Sequence, residues 1–423
     1  MVSYAGLMAT SAGLEASPNE LRAALADALS QMYAEEVPAY GHLVDATHRV
    51  NDSVGSGHRD SDRLGGERHG AIRVASFAEL SQVARLFALY GMCAVGYYDL
   101  RSSPTPLPVV STAFRPITAG DLAASPFRMF TSTLVSNDER FFSPELQKEL
   151  EERLTGRELF SAELTAMIEQ AEQSGGVGDA QRFVERTVDA LRLDQTPIDL
   201  AWFEQLDAVS TVASDIAAAA STHINHLTPR VLDIDALHKL MGEEGIEMIE
   251  RIQGPPAWNG PDLLLRQTSF RALDEQRTFT QADGNAVTGP VRVRFGEVEQ
   301  RGIALTPQGR AKLDEAVSSE RQLEDVFTNT VEGLYEAGDI YVEFVEVDGE
   351  TQMVPITYED FLPASAAGIF ASNLARPGAE VDDVSVRMGE ADLLRDAVGT
   401  LYDPYQLYQE QQDRSRSQGR EQQ

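Results

Sequence analysis

The chain has 423 residues, 42% of them hydrophobic, enough for one large domain or two to three smaller ones with a sizeable core. Its net charge of −32, from 35 basic and 67 acidic residues, repels phosphate backbones and anionic lipid, so neither nucleic acid nor a membrane surface is an expected partner. Cys93 is the only cysteine, which excludes an intrachain disulfide and a thiolate metal cluster, fits a reducing cytoplasm, and leaves any metal to His and carboxylates.

There is no run of 18 apolar residues, and Met1 to Met8 lacks a basic region leading into an apolar one, so no membrane span or signal peptide is expected. Lysine occurs only at Lys148, Lys239 and Lys312; the other basic side chains are Arg. An acidic, Lys-poor surface fits a salt-rich cytoplasm or an Arg-biased genome. In either case an anionic substrate must be received by local Arg, because the global field opposes it.

A helix is predicted from about Asn19 to Tyr33, with Ser17 as cap, Pro18 at its first position, Glu20 completing a capping box, and Leu21, Leu25, Leu29 and Met32 as apolar stripe. Val54 to Asp62 reads as a polar loop. Glu67-Arg68-His69-Gly70-Ala71-Ile72-Arg73 reads as a strand that sets His69, Ala71 and Arg73 on one face: an imidazole and a fixed cation over a small side chain. Ser76 to Gly91 has helical spacing, and Cys93 to Leu100 and Val109 to Phe114 are strand candidates. Ser143 to about Ala220 reads as a mostly helical insertion, about 140–220, without metal-binding residues.

Beyond it, Thr222 to Arg230 packs two imidazoles and an amide among β-favouring residues. Leu237 to Ile252 reads as a helix and Leu263 to Phe270 as a buried strand. Val291 to Ile303 reads as one long strand with Phe295, Glu297, Glu299 and Arg301 on one face. Thr306-Pro307 opens a helix, and Leu323, Val326, Phe327, Val331 and Leu334 form a helical stripe. Ile340 to Val347 and Met353 to Thr357 read as a hairpin around Asp348-Gly349. From Gln409 the chain is Gln, Arg, Ser and Glu, which predicts a disordered tail over 409–423 behind a single domain, 1–408.

Of seven histidines, His42, His48, His58 and His238 sit in helical, loop or charged surroundings and read as ordinary surface residues. His69, His223 and His226 remain. Glu297 and Glu299 are the carboxylates that stand out, two acids on one strand face; they need a cation there, or pair with Arg301 in a solvated ladder. Two His, one carboxylate and open positions are what a non-haem Fe(II) oxygenase requires. No GxGxxG, GxxxxGK[ST] or GxSxG pattern points to a dinucleotide, a nucleotide or a serine hydrolase.

Six blocks carry a resemblance: Glu67 to Arg73, Tyr97 to Leu100, His223 to Arg230, Leu265 to Phe270, Phe295 to Gly302 and Ile356 to Pro363. In order, from about Leu21 to Gln409, the chain resembles the 2-oxoadipate dioxygenase/decarboxylase family, the D-2-hydroxyglutarate synthases of bacterial lysine catabolism. The resemblance implies an α+β fold of the vicinal-oxygen-chelate kind, a curved sheet around a single metal with added helices. That sheet is expected from about 66–116, 220–305 and 338–375. It implies Fe(II) held by His69, His226 and Glu297, with His223 and Glu299 as the alternative ligands. Arg73 matches the family's substrate-binding Arg. Ser365 and Ala364 fall in a block used near the substrate, with Ala364 where Val is expected, and Gln267 is a candidate polar contact. The segment from Arg310 to Ile356 is shorter than in some relatives.

The implied reaction converts 2-oxoadipate and O₂ to D-2-hydroxyglutarate and CO₂, the substrate acting as its own reductant. The expected partners are this small 2-oxo diacid and O₂, in a cytoplasmic monomer or small homo-oligomer. The rival readings are the same chemistry on another 2-oxo acid, a metal-dependent isomerase or lyase on the same scaffold, and a non-catalytic binding protein.

Overall fold

The computed structural model describes residues 16–55, 61–102, 106–292, 294–347, 349–362 and 391–421. The first helix, Pro18–Glu36, starts as the sequence predicts. The Ser17 hydroxyl accepts from the Glu20 amide, and the Glu20 carboxylate accepts from the Ser17 amide at 2.8 Å. Its Leu21, Leu25, Leu29 and Met32 are buried, and helix Pro38–Val54 follows.

Strands β1 (Arg68–Val74), β2 (Cys93–Asp99), β3 (Val109–Arg115) and β4 (Phe127–Leu134) form the heart of a six-stranded sheet. β1 lies between β4, to which it is parallel, and β6 (His226–Pro229), to which it is antiparallel. Gly70 permits this close packing, since a Cβ there would meet the Met129 sulfur and the Leu227 side chain at 3.0–3.1 Å. Helix Phe77–Leu89 joins β1 to β2. The sequence reading has no strand at β4. All eight of its residues are buried, so no polar–apolar alternation marks it.

The insertion holds helices Pro144–Leu154, Ala162–Ser174, Ala180–Ala190, Leu200–Asp207 and Thr211–Ala217, with the short strand β5 (Ile198–Asp199) among them. Beyond it, β7 (Leu265–Ser269), β8 (Glu275–Thr280), β9 (Ala286–Val291) and β10 (Glu297–Arg301) follow. β10 pairs with β7 and touches the end of β6, where the Val231 amide donates to the Glu299 carbonyl at 2.8 Å. β11 (Val342–Val347) and β12 (Glu350–Pro355) form the predicted hairpin. β13 (Leu401–Tyr402) closes the far edge of the large sheet.

Several expectations need correction. Val291 to Ile303 is not one strand: β9 pairs with β8, β10 with β7, and the chain changes partners between them. There Arg294 pairs with Glu36 and Glu275, and the Tyr33 hydroxyl donates to the Phe295 carbonyl at 2.8 Å. The helix expected from Leu237 to Ile252 spans Ile234–Glu243; Gly245, at φ 82°, turns the chain so that Met248 and Gln253 bridge to β7 and its end. The stripe from Leu323 to Leu334 is a single turn, Leu323–Asp325, and a separate helix, Val331–Glu336, because Thr330 caps a new start. Of the loop expected over Val54 to Asp62, residues 56–60 lie outside the described residues, and Ser61–Leu64 is a helical turn.

The tail is also different. Helix Pro404–Glu421 runs through residues 409–421 of the tail expected to be disordered, and 422 and 423 lie outside the described residues. Its polar side chains serve the edge of β11: Gln412 accepts from the Val342 amide at 2.9 Å and Ser415 from the Phe344 amide at 3.2 Å. Low hydrophobicity alone cannot reveal that role. Among the described residues no helix is long and apolar enough to cross a membrane.

Candidate metal centre

Three strands bring three donors together. On β1, His69, Ala71 and Arg73 share a face. The β1–β6 register pairs Ala71 with His226, so His226 rises beside His69 over the small Ala71. β10 contributes Glu297. One donor atom from each of His69, His226 and Glu297 lies within 4.8 Å of the others. The His69 Nε2 is 3.2 Å from Glu297 Oε1, and the His226 Nε2 is 3.8 Å from Oε2.

The cluster is buried: His69 is 1% exposed, His226 4% and Glu297 2%. Phe361 meets the His69 ring edge-on with centroids 4.9 Å apart, and Phe295 stacks on His226 at 4.9 Å. Burial pushes the Glu297 carboxyl up and the His226 imidazole well down, the latter helped by His69 and Arg73. At His69 burial works against the proton, but Glu299 and Glu297 outweigh it and the net shift is upward.

Glu297 and Glu299 have different company. Among the described residues Glu297 has no Arg or Lys ion pair; the Gln267 amide donates to it instead. Glu299 accepts from Arg301 at 2.7 and 2.8 Å and lies 2.8 Å from His69 Nδ1. Burial opposes ionisation of Glu299, but Arg301 and then His69 hold its carboxyl well below the ordinary range. Among the described residues, two buried imidazoles, one of them with Nδ1 lacking a hydrogen-bond partner, and a buried carboxylate without a cation make a donor set that suits a divalent transition metal.

His223 stands outside this cluster. Its Nε2 is 3.3 Å from Asp215 and 3.2 Å from the Asn225 amide. Asp215 also pairs with Arg73 and accepts from Asn225 at 3.0 Å. Burial opposes ionisation of Asp215, and His223 and Arg73 more than reverse it. Asp215 belongs to helix Thr211–Ala217 of the insertion, and nothing in its local sequence marks it. Ser365 and Ala364 lie outside the described residues, as does His58. His48 is exposed, and His238 Nδ1 is 2.7 Å from the Thr268 hydroxyl.

Behind His69 lies a buried ionic network. Glu67 meets Arg230 at 2.8 Å, Arg128 at 2.9 Å and Arg63 at 3.3 Å, and Glu359 pairs with Arg63 and Arg128. Arg115 pairs with Asp360 at 2.7 Å, and Tyr408 of the last helix donates to the same carboxylate.

Known proteins resemble this chain over nearly its whole length. The family model described as 2-oxoadipate dioxygenase/decarboxylase matches residues 25–373. A protein of that name from Mycobacterium tuberculosis is 49% identical over 401 residues, covering 92% of this chain and 95% of its own. The Escherichia coli protein of that name is 36% identical over 446 residues, covering 94% and 97%. The solved hydroxyglutarate synthase from Pseudomonas putida in complex with 2-oxoadipate is 34% identical and superposes with a TM-score of 0.80 over 96% of this chain and 98% of its own. A glyoxalase superfamily protein from Ralstonia eutropha, 20% identical, shares the fold alone, with a TM-score of 0.54 over 68% of this chain and 84% of its own. The architecture is therefore α+β and of the vicinal-oxygen-chelate kind, as the resemblance implies.

Proposed function

This chain belongs to the 2-oxoadipate dioxygenase/decarboxylase family, and from that premise we propose that it converts 2-oxoadipate and O₂ to D-2-hydroxyglutarate and CO₂. The observation that carries the reading is the buried His69, His226 and Glu297 cluster in a fold whose Pseudomonas putida relative binds 2-oxoadipate. We assign the metal as iron(II), the setting as the cytoplasm and the role as a step of lysine degradation.

His69, His226 and Glu297 would hold the ion. When bound, iron(II) supplies the redox chemistry that couples O₂ reduction to loss of the substrate's first carbon as CO₂. The substrate provides all the electrons. One oxygen atom enters the new carboxylate at the former keto carbon, and the other becomes the hydroxyl on the next carbon. No second organic reductant is needed.

The chain's own residues do the rest. Arg73 stands on the face of β1 that carries His69 and is suited to hold a substrate carboxylate by a charge-assisted pair. That local cation offsets the repulsion a dianion meets from a protein of charge −32. The Gln267 amide, donating to Glu297, holds that carboxylate in place. Phe361 and Phe295 keep water from the imidazoles. Fixing the diacid by one carboxylate decides which carbon and which face is presented for hydroxylation.

The test is O₂ uptake by iron(II)-loaded protein given 2-oxoadipate, with the product resolved on a chiral column. Uptake matched by D-2-hydroxyglutarate is the expected result. Uptake with another product moves the question to a different 2-oxo acid. Conversion of substrate without O₂ uptake would replace this reading with the isomerase or lyase one.

A further inference from the structure

Glu297 and Glu299 occupy alternate positions of β10, so both rise from one face of the strand. They approach the two nitrogens of one imidazole. Glu297 Oε1 lies 3.2 Å from His69 Nε2, and Glu299 Oε2 lies 2.8 Å from His69 Nδ1. Glu299 is otherwise fully engaged. Arg301, two residues further along the same face, donates Nε to Oε1 at 2.7 Å and Nη2 to Oε2 at 2.8 Å. Its Nη1 is anchored on the carbonyls of Tyr358 and Asp360 at 2.9 and 3.1 Å. Glu299 and Arg301 are both buried, so Glu299 cannot turn toward the donor cluster without stripping a guanidinium of its partner.

We propose that Glu299 is a positioning residue of the metal centre: it holds His69 with its proton on Nδ1 and its lone pair on Nε2, and Arg301 locks it in place. The proposal rests on the reading of His69, His226 and Glu297 as metal-holding. The neutral imidazole carries one N–H, and an acceptor placed at Nδ1 decides which nitrogen has it. A charged acceptor also makes the other nitrogen a better donor to a cation. His226 is held differently, by its stack on Phe295, and its Nδ1 has no hydrogen-bond partner among the described residues. Among the described residues the two imidazoles are thus unequal: β10 sets a carboxylate against Nδ1 of His69 and none against Nδ1 of His226.

The test is titration of the metal-free protein with Co(II), whose visible absorption reports its ligands. The parent is compared with Glu299→Asp and with the double variant Glu299→Gln, Arg301→Gln. The first keeps the charge opposite Arg301 but withdraws the carboxylate from His69 by one methylene. The second removes both charges, so neither is left buried alone. Expected is Co(II) binding weakened by roughly 10–100-fold in Glu299→Asp, with its metal-free unfolding midpoint near the parent's. Unchanged affinity overturns the proposal. A loss as complete as in Glu297→Ala also overturns it, because Glu299 would then be a ligand itself. If neither variant folds, the Co(II)-loaded parent decides. It must show an exchangeable, hyperfine-shifted ring N–H for His69, assigned by its contacts to the Phe361 ring protons, and lack of that resonance overturns the assignment. A parent that takes up no Co(II) overturns the metal reading and this proposal with it.

Discussion

Arg73 and Asp215 form a buried ion pair across 142 positions of sequence. The helical insertion contains no member of the metal-donor cluster, yet it delivers one carboxylate to the cation that stands beside it. Asp215 is itself surrounded, receiving the Asn225 amide and lying against His223. If a substrate carboxylate binds at Arg73, as proposed, it would meet a guanidinium whose orientation is already set, the condition under which less side-chain freedom is lost on binding.

Replacing Arg73 tests that arrangement. Arg73→Lys keeps the charge but loses the planar fork, and kcat/KM for 2-oxoadipate should fall about 10–100-fold, as expected for a charge-assisted hydrogen bond worth ~1.5–3 kcal/mol. Steady-state kinetics check this; an unaltered kcat/KM would remove Arg73 from substrate binding.

Asp215→Asn keeps the side chain's size but removes the charge opposite buried Arg73, so a loss of stability is expected together with a less fixed guanidinium orientation. We expect KM to change more than kcat. Equal loss in both, with metal content unchanged, would assign Asp215 a role in turnover rather than in substrate placement.

The metal donors give a sharper contrast. Glu297→Ala should abolish stable metal binding, a loss larger than the roughly 10–100-fold expected for an outer residue, and His223→Ala should leave metal content unaltered. Metal analysis after dialysis distinguishes them.

Glu67 provides a pH test. Burial opposes its ionisation, but Arg230, Arg63 and Arg128 overcome that and hold it at about 2, below its ordinary 4.5. A depressed carboxylate contributes stability above its unfolded value, and that contribution disappears as pH falls through its folded value. Chemical denaturation should show this contribution constant above about pH 4.5 and shrinking between there and about pH 2. Glu67→Gln should cost about 3–5 kcal/mol at neutral pH, since buried guanidinium groups lose their shared partner.

The last helix can be removed. Truncation after residue 403 takes away Tyr408, whose hydroxyl donates to Asp360 and accepts from the Glu359 amide at 2.8 Å. Because Phe361 follows directly and packs on His69, we expect both a lower unfolding midpoint and weaker metal binding. Full metal affinity in the truncated chain would separate the helix from the site.

Much of the site was legible because β1 obeys simple alternation: the spacing of His69, Ala71 and Arg73 alone places them together. Glu297 and Glu299 stood out as two acids on one face, but period two cannot say which of them meets Arg301 and which meets the imidazoles. That depends on the pairing of β10 with β7 and its approach to β6, a long-range property. Asp215 left no trace, since a single Asp in a helix has no pattern. β4 was missed for the opposite reason, being buried on both faces, and the last helix because two of its polar residues, Gln412 and Ser415, are hydrogen-bond partners for an edge strand while most of the others are solvated.

The donors stand at residues 69, 226 and 297, on three strands that meet only when the sheet is assembled around β1 and β6. During synthesis, no nascent chain shorter than about residue 301 can present all of them, and a chain with β6 slipped by one residue would turn His226 to the opposite face. An ion held by these three side chains would accordingly be captured only after the strands have assembled, and the affinity gained there would be added to the folded state alone. Occupancy of the centre would then serve as a certificate that distant parts of the polypeptide have found their register.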